Sequence, residues 1–462
     1  MKCKSIVIAL IAACTAFSAC GPTDGNGGNN NDGNNNKTKG APQVAEHDNV
    51  SCEKGGPGFA CTVSGEITKD LTIPNASDIV WKLQGEVFVG DDKNETVLTI
   101  EPGVTLFAAS GTGGDITFLT VRRNSKIMAE GTKDKPIVMT TALPDGERGR
   151  GKWGGVIING NAPINTGKEA EGEGNTGKFG GDDPKDSSGT LKYVRVEFAG
   201  ALITEEDELN GIAFQGVGSG TTVDYVQVHM NSDDGVEFFG GTVSAKHLVL
   251  TGIGDDSLDW TDGWQGNVQY MVAQQYEESA GRGIEADNLE DDNDAMPRSK
   301  PKLANLTIIG AKGNDEGILL RRGTGVNIYN AIITNAGAAC LDIDDKATFT
   351  NAWDKSGSKF SGELTIDNSI INGCAKAFED DDKGSPFSVK EWFEAGMNNQ
   401  QADPKIKKPS DNKSPDYRIE SGGPADSSGM KPKGGWFDKT EFIGAVGPSD
   451  DWTKGWTIHA QK

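Results

Sequence analysis

Six short phrases in the C-terminal half of this chain share one form, a small residue, an apolar one and then usually an acid. They are Gly235-Val236-Glu237-Phe238, Ser257-Leu258-Asp259-Trp260, Gly283-Ile284-Glu285-Ala286, Gly317-Ile318-Leu319-Leu320, Cys340-Leu341-Asp342-Ile343 and Ala377-Phe378-Glu379-Asp380. Period-two alternation turns the apolar neighbours inward and the third residue outward. If the phrases stack as coils, Glu237, Asp259, Glu285, Asp342 and Glu379 form an outward column about 4.8 Å apart, broken by Leu319. Beside them run turn acids: Asp233, Asp234, Asp255, Asp256, Asp287, Asp344, Asp345, Asp380, Asp381 and Asp382. Like charges at that spacing repel unless something answers them.

Three kinds of chemistry answer such a column. Solvation can, helped by Arg321, which the register places between Asp287 and Asp344. A hard, oxygen-seeking cation can, and calcium on Glu237, Asp255, Asp256, Asp259 and Glu285 is the metal expectation, although no EF-hand loop or Gly-rich nonapeptide repeat is present. Paired carboxylates can also work as general acid and base. Other chemistries lack their residues. The chain holds four histidines, His47, His229, His247 and His459, with no HExxH, no Gly-x-Ser-x-Gly and no phosphate-cradling loop. His229 and His247 lie in strands of neighbouring coils and read as a structural pair.

The elements that must hold the acids are short strands. A second strand precedes each phrase, for example Val223-Asp224-Tyr225-Val226, His247-Leu248-Val249-Leu250 and Leu306-Thr307-Ile308-Ile309, at a spacing of roughly 22 to 37 residues. Two or three strands per repeat with irregular insertions predict coils stacked in parallel. The N-terminal half words the same architecture differently, in Val97-Leu98-Thr99-Ile100, Ile127-Met128-Ala129-Glu130 and Trp153-Gly154-Gly155-Val156-Ile157-Ile158. With 63 Gly and 35% hydrophobic residues, the composition suits β structure rich in turns.

These phrases resemble the pectin-lyase-like superfamily, which implies an all-β, right-handed parallel β-helix. They are also similar to a group of uncharacterised bacterial lipoproteins that carry WGGVIINGNAPIN, ELNGIAFQGVGSGTTVDYVQVH, DDGVEFFGGT, KHLVLTGIGDDSLDWTDGW and FIGAVGPSDDWTKGWT, a likeness running from about Leu71 to Thr457. That group implies no activity. A finer likeness concerns Asn231-Ser232-Asp233-Asp234-Gly235, Asp255-Asp256, Gly281-Arg282-Gly283-Ile284 and Arg321-Arg322, which resemble the four motifs of polygalacturonase-type glycosidases in order. It implies Asp234, Asp255 and Asp256 as acid and base. The motif's histidine is Arg282 here, and the basic pair is worded differently. A calcium-assisted lyase would instead use Arg321 or Arg322 as base.

Residues 1–19 hold Lys2 and Lys4, an apolar run and Ser18-Ala19 before Cys20, and read as a lipoprotein signal. Phe17 stands where a lipobox usually has Leu. Lipidation of Cys20 is expected, then a flexible Gly/Asn-rich tether over 20–50, a β-helix over 51–383 and a capping segment over 384–462. Gly21 after the cysteine favours the outer membrane, with the leaflet open. Of the other cysteines, Cys52 and Cys61 are expected to pair, and a second bridge joins Cys340 and Cys374 unless both remain buried thiols. The net charge of −23 opposes nucleic acid and favours cations.

After the last coil, Ser388 with Glu391 makes a capping box and Gly396 stops a helix of about two turns. That helix, with Trp436, Phe437, Phe442, Ile443, Trp452 and Trp456, is expected to close the open end of the solenoid; the aromatics could instead form a platform for sugar rings. The leading functional reading is a non-enzymatic envelope lipoprotein whose acidic face, loaded with calcium, binds a glycan, a cation or an outer-membrane protein. A polysaccharide-degrading glycosidase or lyase is the alternative.

Overall fold

The computed structural model describes residues 42–111, 115–203, 208–278, 281–380, 384–426 and 429–460. The expected signal segment, Cys20 and most of the expected tether lie outside the described residues, as do Asp381 and Asp382. The chain is a right-handed parallel β-helix, with 26 strands in one continuous sheet among the described residues. Among the described residues no helix is long and apolar enough to cross a membrane.

Each later coil contributes one short and one long strand. The short ones, among them Ile212–Gln215, Val236–Phe239, Leu258–Thr261 and Ile318–Leu320, stack as one face. The long ones, such as Thr222–His229, Ser244–Thr251, Asn267–Gln274 and Lys302–Ile309, bend midway and supply two more faces. The bend falls on one aligned position, Tyr193, Tyr225, His247, Tyr270, Asn305 and Asn330, with φ from +49° to +64°. Asn tolerates that region, whereas Tyr and His are strained there. Stacking offsets the strain: Tyr193 on Tyr225 at 4.3 Å, Tyr225 on His247 at 4.1 Å and His247 on Tyr270 at 4.8 Å.

The interior is filled by inward residues of all three faces, with Phe214, Phe238, Trp260 and Trp264 fully buried. Both disulfides form. Cys52 faces Cys61 across the antiparallel hairpin that opens the fold, and Cys340 ties its coil to the next through Cys374.

The helix Val389–Ala395 has the expected capping box, and Trp392 Nε1 donates to Leu364 O at 3.0 Å on the last full coil. Winding continues past residue 383, since Gln400–Gln401 pairs with Ile370–Asn372. A second helix, Lys346–Ala352, was not expected; Thr348, Phe349 and Ala352 bury one short face. The aromatics assigned to the end cap lie elsewhere. From residue 402 the chain runs back along the flank as a strap, with Trp452 and Trp456 edge-on to Tyr225 and Phe437 packed with Ala304 and Tyr329. The flank needs that cover because outward residues such as Val272, Ile309 and Ile332 are apolar. Trp456 and Phe437 are buried, which removes them as a sugar platform.

Candidate functional site

Strand register aligns Ala213, Glu237, Asp259, Glu285, Leu319 and Asp342 on one outward column of the short-strand face. The acids point outward, as alternation requires, but they do not stand in solvent. Glu237 and Glu285 are each 8% exposed and Asp342 6%. Charged turn residues flank the column. On one side rise the turn residues Asp234, Asp256 and Arg282, and on the other Asp287 and Arg321.

Asp234 and Asp256 have backbone duties. Asp234 Oδ1 accepts from Asp256 N at 3.0 Å, and Asp256 Oδ1 accepts from Arg282 N, so each turn acid caps the turn of the next coil. Carboxylate oxygens converge in three overlapping groups, Asp233–Asp234–Asp255, Asp234–Glu237–Asp259 and Asp256–Asp259–Glu285, each within 4.8 Å. The structure thus brings together every residue of the expected metal set, along with Asp233 and Asp234.

Positive charge divides the cluster. Arg282 reaches Glu285 at 2.8 Å, Glu316 at 3.0 Å and Asp256 at 3.8 Å. Arg321 pairs with Glu285 and, at 2.9 Å, with Asp287 on the preceding coil, where the sequence placed it between Asp287 and Asp344. Arg322 also reaches Asp287, at 2.8 Å. Glu285 is therefore answered from both sides. Burial opposes Arg321's charge, but the Asp287 and Glu285 carboxylates outweigh it and raise its pKa. Glu379 is answered by Lys376 at 2.7 Å, and Asp380 accepts from Val389 N at the helix start.

Among the described residues Asp233, Asp234 and Glu237 have no ion pair with a cation, and Asp259 feels Arg321 only at longer range. Burial raises the pKa of each, and their neighbours' charges add to it. Asp233 is pushed up to about 8 by burial first and then by Glu208. Asp259 Oδ1 is buried with no hydrogen-bond partner. Asn210 donates to Glu237 Oε2 at 2.7 Å while its own Oδ1 is buried and unpartnered. A hard cation fits this donor set, because it would supply the positive charge that the carboxylates lack and a partner for the orphaned oxygens.

Asn210 and Glu208 were missed in the sequence. The signal for Asn210 was present: Ala213 aligns with Glu237, which puts Asn210 at the position of Asp234 and Asp256. Glu208 sits on a loop, where no periodicity applies. The expected His229–His247 pair does not form. His229 bonds Thr251 Oγ1 and Ala460 O, each at 2.8 Å, while His247 stacks in the tyrosine ladder and bonds Asp224 at 2.7 Å.

No curated protein matches this chain. Two solved structures are similar. One is the enzymatically active domain of tailspike protein 2 from bacteriophage CBA120, at 14% identity and TM-score 0.30, covering 67% of this chain and 43% of that one. The other is full-length tailspike protein 2 from an Escherichia coli O157:H7 bacteriophage, at 12% identity and TM-score 0.19, covering 67% and 38%. This chain thus spans less than half the length of either. The model of the pectate-lyase-like β-helix domain matches residues 65–457. Stacked parallel coils, inward apolar ladders and an outward acidic column all fall within that match, and the chain belongs to the pectate-lyase-like β-helix family.

Proposed function

We propose that this is a membrane-anchored envelope lipoprotein that binds rather than cleaves, with a divalent cation of the calcium class held by Asp234, Glu237 and Asp259 on a face that presents a ligand such as a glycan or an envelope partner protein. The observation that carries the cation is the convergence of those three carboxylates within 4.8 Å around a buried, unpartnered Asp259 Oδ1. Buried acids without a counter-charge must hold protons or take up a cation. A cation bound only to the folded chain adds about 2.7 kcal/mol at a hundredfold excess over its Kd. Millimolar calcium should raise the melting temperature well beyond ionic-strength-matched sodium, which only screens. Glu237→Gln with Asp259→Asn should abolish the difference. Identical melting curves in chelator, sodium and calcium would overturn the reading. Cys20→Ser, which should release the chain from membranes, tests the anchor separately.

A glycosidase is the second reading, favoured by Asp233, which holds a proton at neutral pH beside the exposed Asp255. Oxygens of Asp234 and Asp255 approach within 4.8 Å, closer than the roughly 6.5–9.5 Å between carboxyls that invert a glycosidic bond and nearer the about 5–5.5 Å of retaining enzymes. Reducing ends released from a polysaccharide panel, and lost in Asp233→Asn and Asp255→Asn, would establish hydrolysis instead.

A further inference from the structure

The turn that follows each long strand changes character along the axis. Its first residue is aligned from coil to coil by a backbone ladder, in which Phe198 N bonds His229 O, Met230 N bonds Thr251 O, Gln275 N bonds Ile309 O, Gly310 N bonds Thr334 O and Asn335 N bonds Asn372 O. In the earlier coils this position is packed, for Phe198 and Met230 cluster with the buried Tyr276. In the later ones it reads Gln275, Gly310, Asn335 and Gly373, and the turns open into a pocket of about 520 Å³. That volume lies within the range of about 300–1,000 Å³ usual for small-molecule sites. Three coil spacings give it a length of about 14 Å.

Two amides face this pocket from the turns, with a gap between them. Gln275 is 2% exposed; its Nε2 donates to Gly281 O, while its Oε1 is buried and has no partner among the described residues. Asn335, two coils on, is half-buried on the same column and holds its Oδ1 over Gly373, where a Cβ would meet it at 2.5 Å. Gly310 between them must be glycine, because a Cβ would meet Ala336 Cα at 2.6 Å, and the missing side chain leaves the space open. The strap supplies the opposite wall with Ser410 and Asn412. Tyr417 OH donates to Gln274 Oε1, and Gln274 Nε2 donates to Asn412 Oδ1 at 2.8 Å, a chain that fixes the Asn412 amide and leaves its Nδ2 to donate into the pocket.

We propose that this pocket holds a neutral sugar unit, whose hydroxyls bond Asn335, Asn412 and Ser410 and donate to Gln275 Oε1. Its lining contains no aromatic ring, so a nucleobase or other flat apolar ligand finds nothing to stack on. Its inner groups are amides and a hydroxyl, which donate and accept at once, as sugar hydroxyls do. The charged groups Glu277, Glu278 and Lys312 stand exposed and of mixed sign, which favours neither an anion nor a cation. The inference rests on the reading of the chain as a glycan binder, and it moves the glycan from the acidic column to a site that needs no metal.

The probe is a panel of neutral mono- and disaccharides of glucose, galactose, mannose and N-acetylglucosamine, titrated against the full chain by saturation-transfer NMR. At least one member should bind saturably, and equally in chelator and in calcium. Asn335→Gly, which suits the φ of +61° at that residue, and Asn412→Ala should each weaken binding at least tenfold. Ser410→Trp, on an exposed residue of the wall, should abolish it with the melting curve unchanged. Glu237→Gln with Asp259→Asn should leave it intact. Binding lost in that acidic pair and kept in the pocket variants would place the glycan on the acidic column and overturn this inference alone. Absence of binding across the panel would overturn it as well, while the calcium melting curves would still judge the cation separately.

Discussion

Over its first coils the outward column of the short-strand face reads Phe88, Thr120, Ile157 and Ala213; over the next it reads Glu237, Asp259 and Glu285. The backbone is the same in both halves. The apolar half is covered by the chain itself, for Ile164 and Phe179 from the excursion after Asn159, with Leu209, pack onto Phe88, Ile157 and Ala213. The acidic half receives no such cover. Among the described residues its charge is answered chiefly around Glu285, by Arg282 and Arg321, the latter also acting on Asp259. A parallel β-helix thus writes core and site in one alphabet, and one side chain per coil selects between them.

The largest effect should come from writing the acidic half into the apolar one. Ile157 is 1% exposed under the excursion, and Ile157→Asp would bury a charge without a partner. We expect a loss of about 3–5 kcal/mol in chemical denaturation, since an uncompensated buried charge costs that much. A loss below about 1 kcal/mol would mean that the excursion lifts off easily and that the two halves differ less than their packing shows.

Removing the internal answer should cost less. Arg321→Ala leaves Glu285 and Asp287 without its guanidinium, while Arg282 and Arg322 still reach them, and its side chain is 23% exposed, so about 2 kcal/mol is expected. Lys390→Ala, which loses an exposed pair with Glu394 at 3.7 Å, should be indistinguishable from wild type. Equal melting temperatures for the two variants would show that Arg282 and Arg322 answer Glu285 and Asp287 without Arg321.

Alternation and turn residues were enough to read the coils, the inward ladder and the capping box of Val389–Ala395 from the sequence, because each is a local pattern; the cysteines gave Cys52–Cys61 and left Cys340–Cys374 open, and both bridges form. The acidic column was legible in its residues and not in its burial. Period two gives the side of the strand on which Glu237 lies, but the walls raised by Asp234 and Arg282 depend on turns from other coils. The strap was misread for a related reason. Its aromatics announce packing, and nothing local tells whether Trp456 packs at the end of the solenoid or beside Tyr193, more than 250 residues earlier.

The smallest effect, and the one that separates the two halves most finely, is on pH dependence. Without metal, burial and Glu208 hold Asp233 up to about 8, and Asp234, Glu237 and Asp259 are raised as well. Unfolded carboxyls lose their protons near pH 4. Between about pH 4 and pH 8 the folded chain therefore holds protons that the unfolded chain lacks, and stability falls as pH rises. The histidines buried where the strap meets the flank act in the opposite sense. Burial drives His229 down to about 3 and His459 down to about 4, so the unfolded chain takes up protons near pH 6.5 that the folded chain refuses, and stability is lost as pH falls below that value. The four raised carboxyls outnumber the two histidines, so in chelator the melting temperature should fall as pH rises from about 5 to 8, less steeply below about pH 6.5 where the histidines oppose the fall. Calcium should remove the alkaline decline, because it takes the place of the protons, and leave the acid side untouched. Asp259→Asn deletes one of the crowded charges and should flatten the alkaline slope by about 1 kcal/mol across the window. A flat profile between pH 6 and pH 8 in chelator would show that the acids are already answered, and the contrast between the two halves of the face would be one of shape alone.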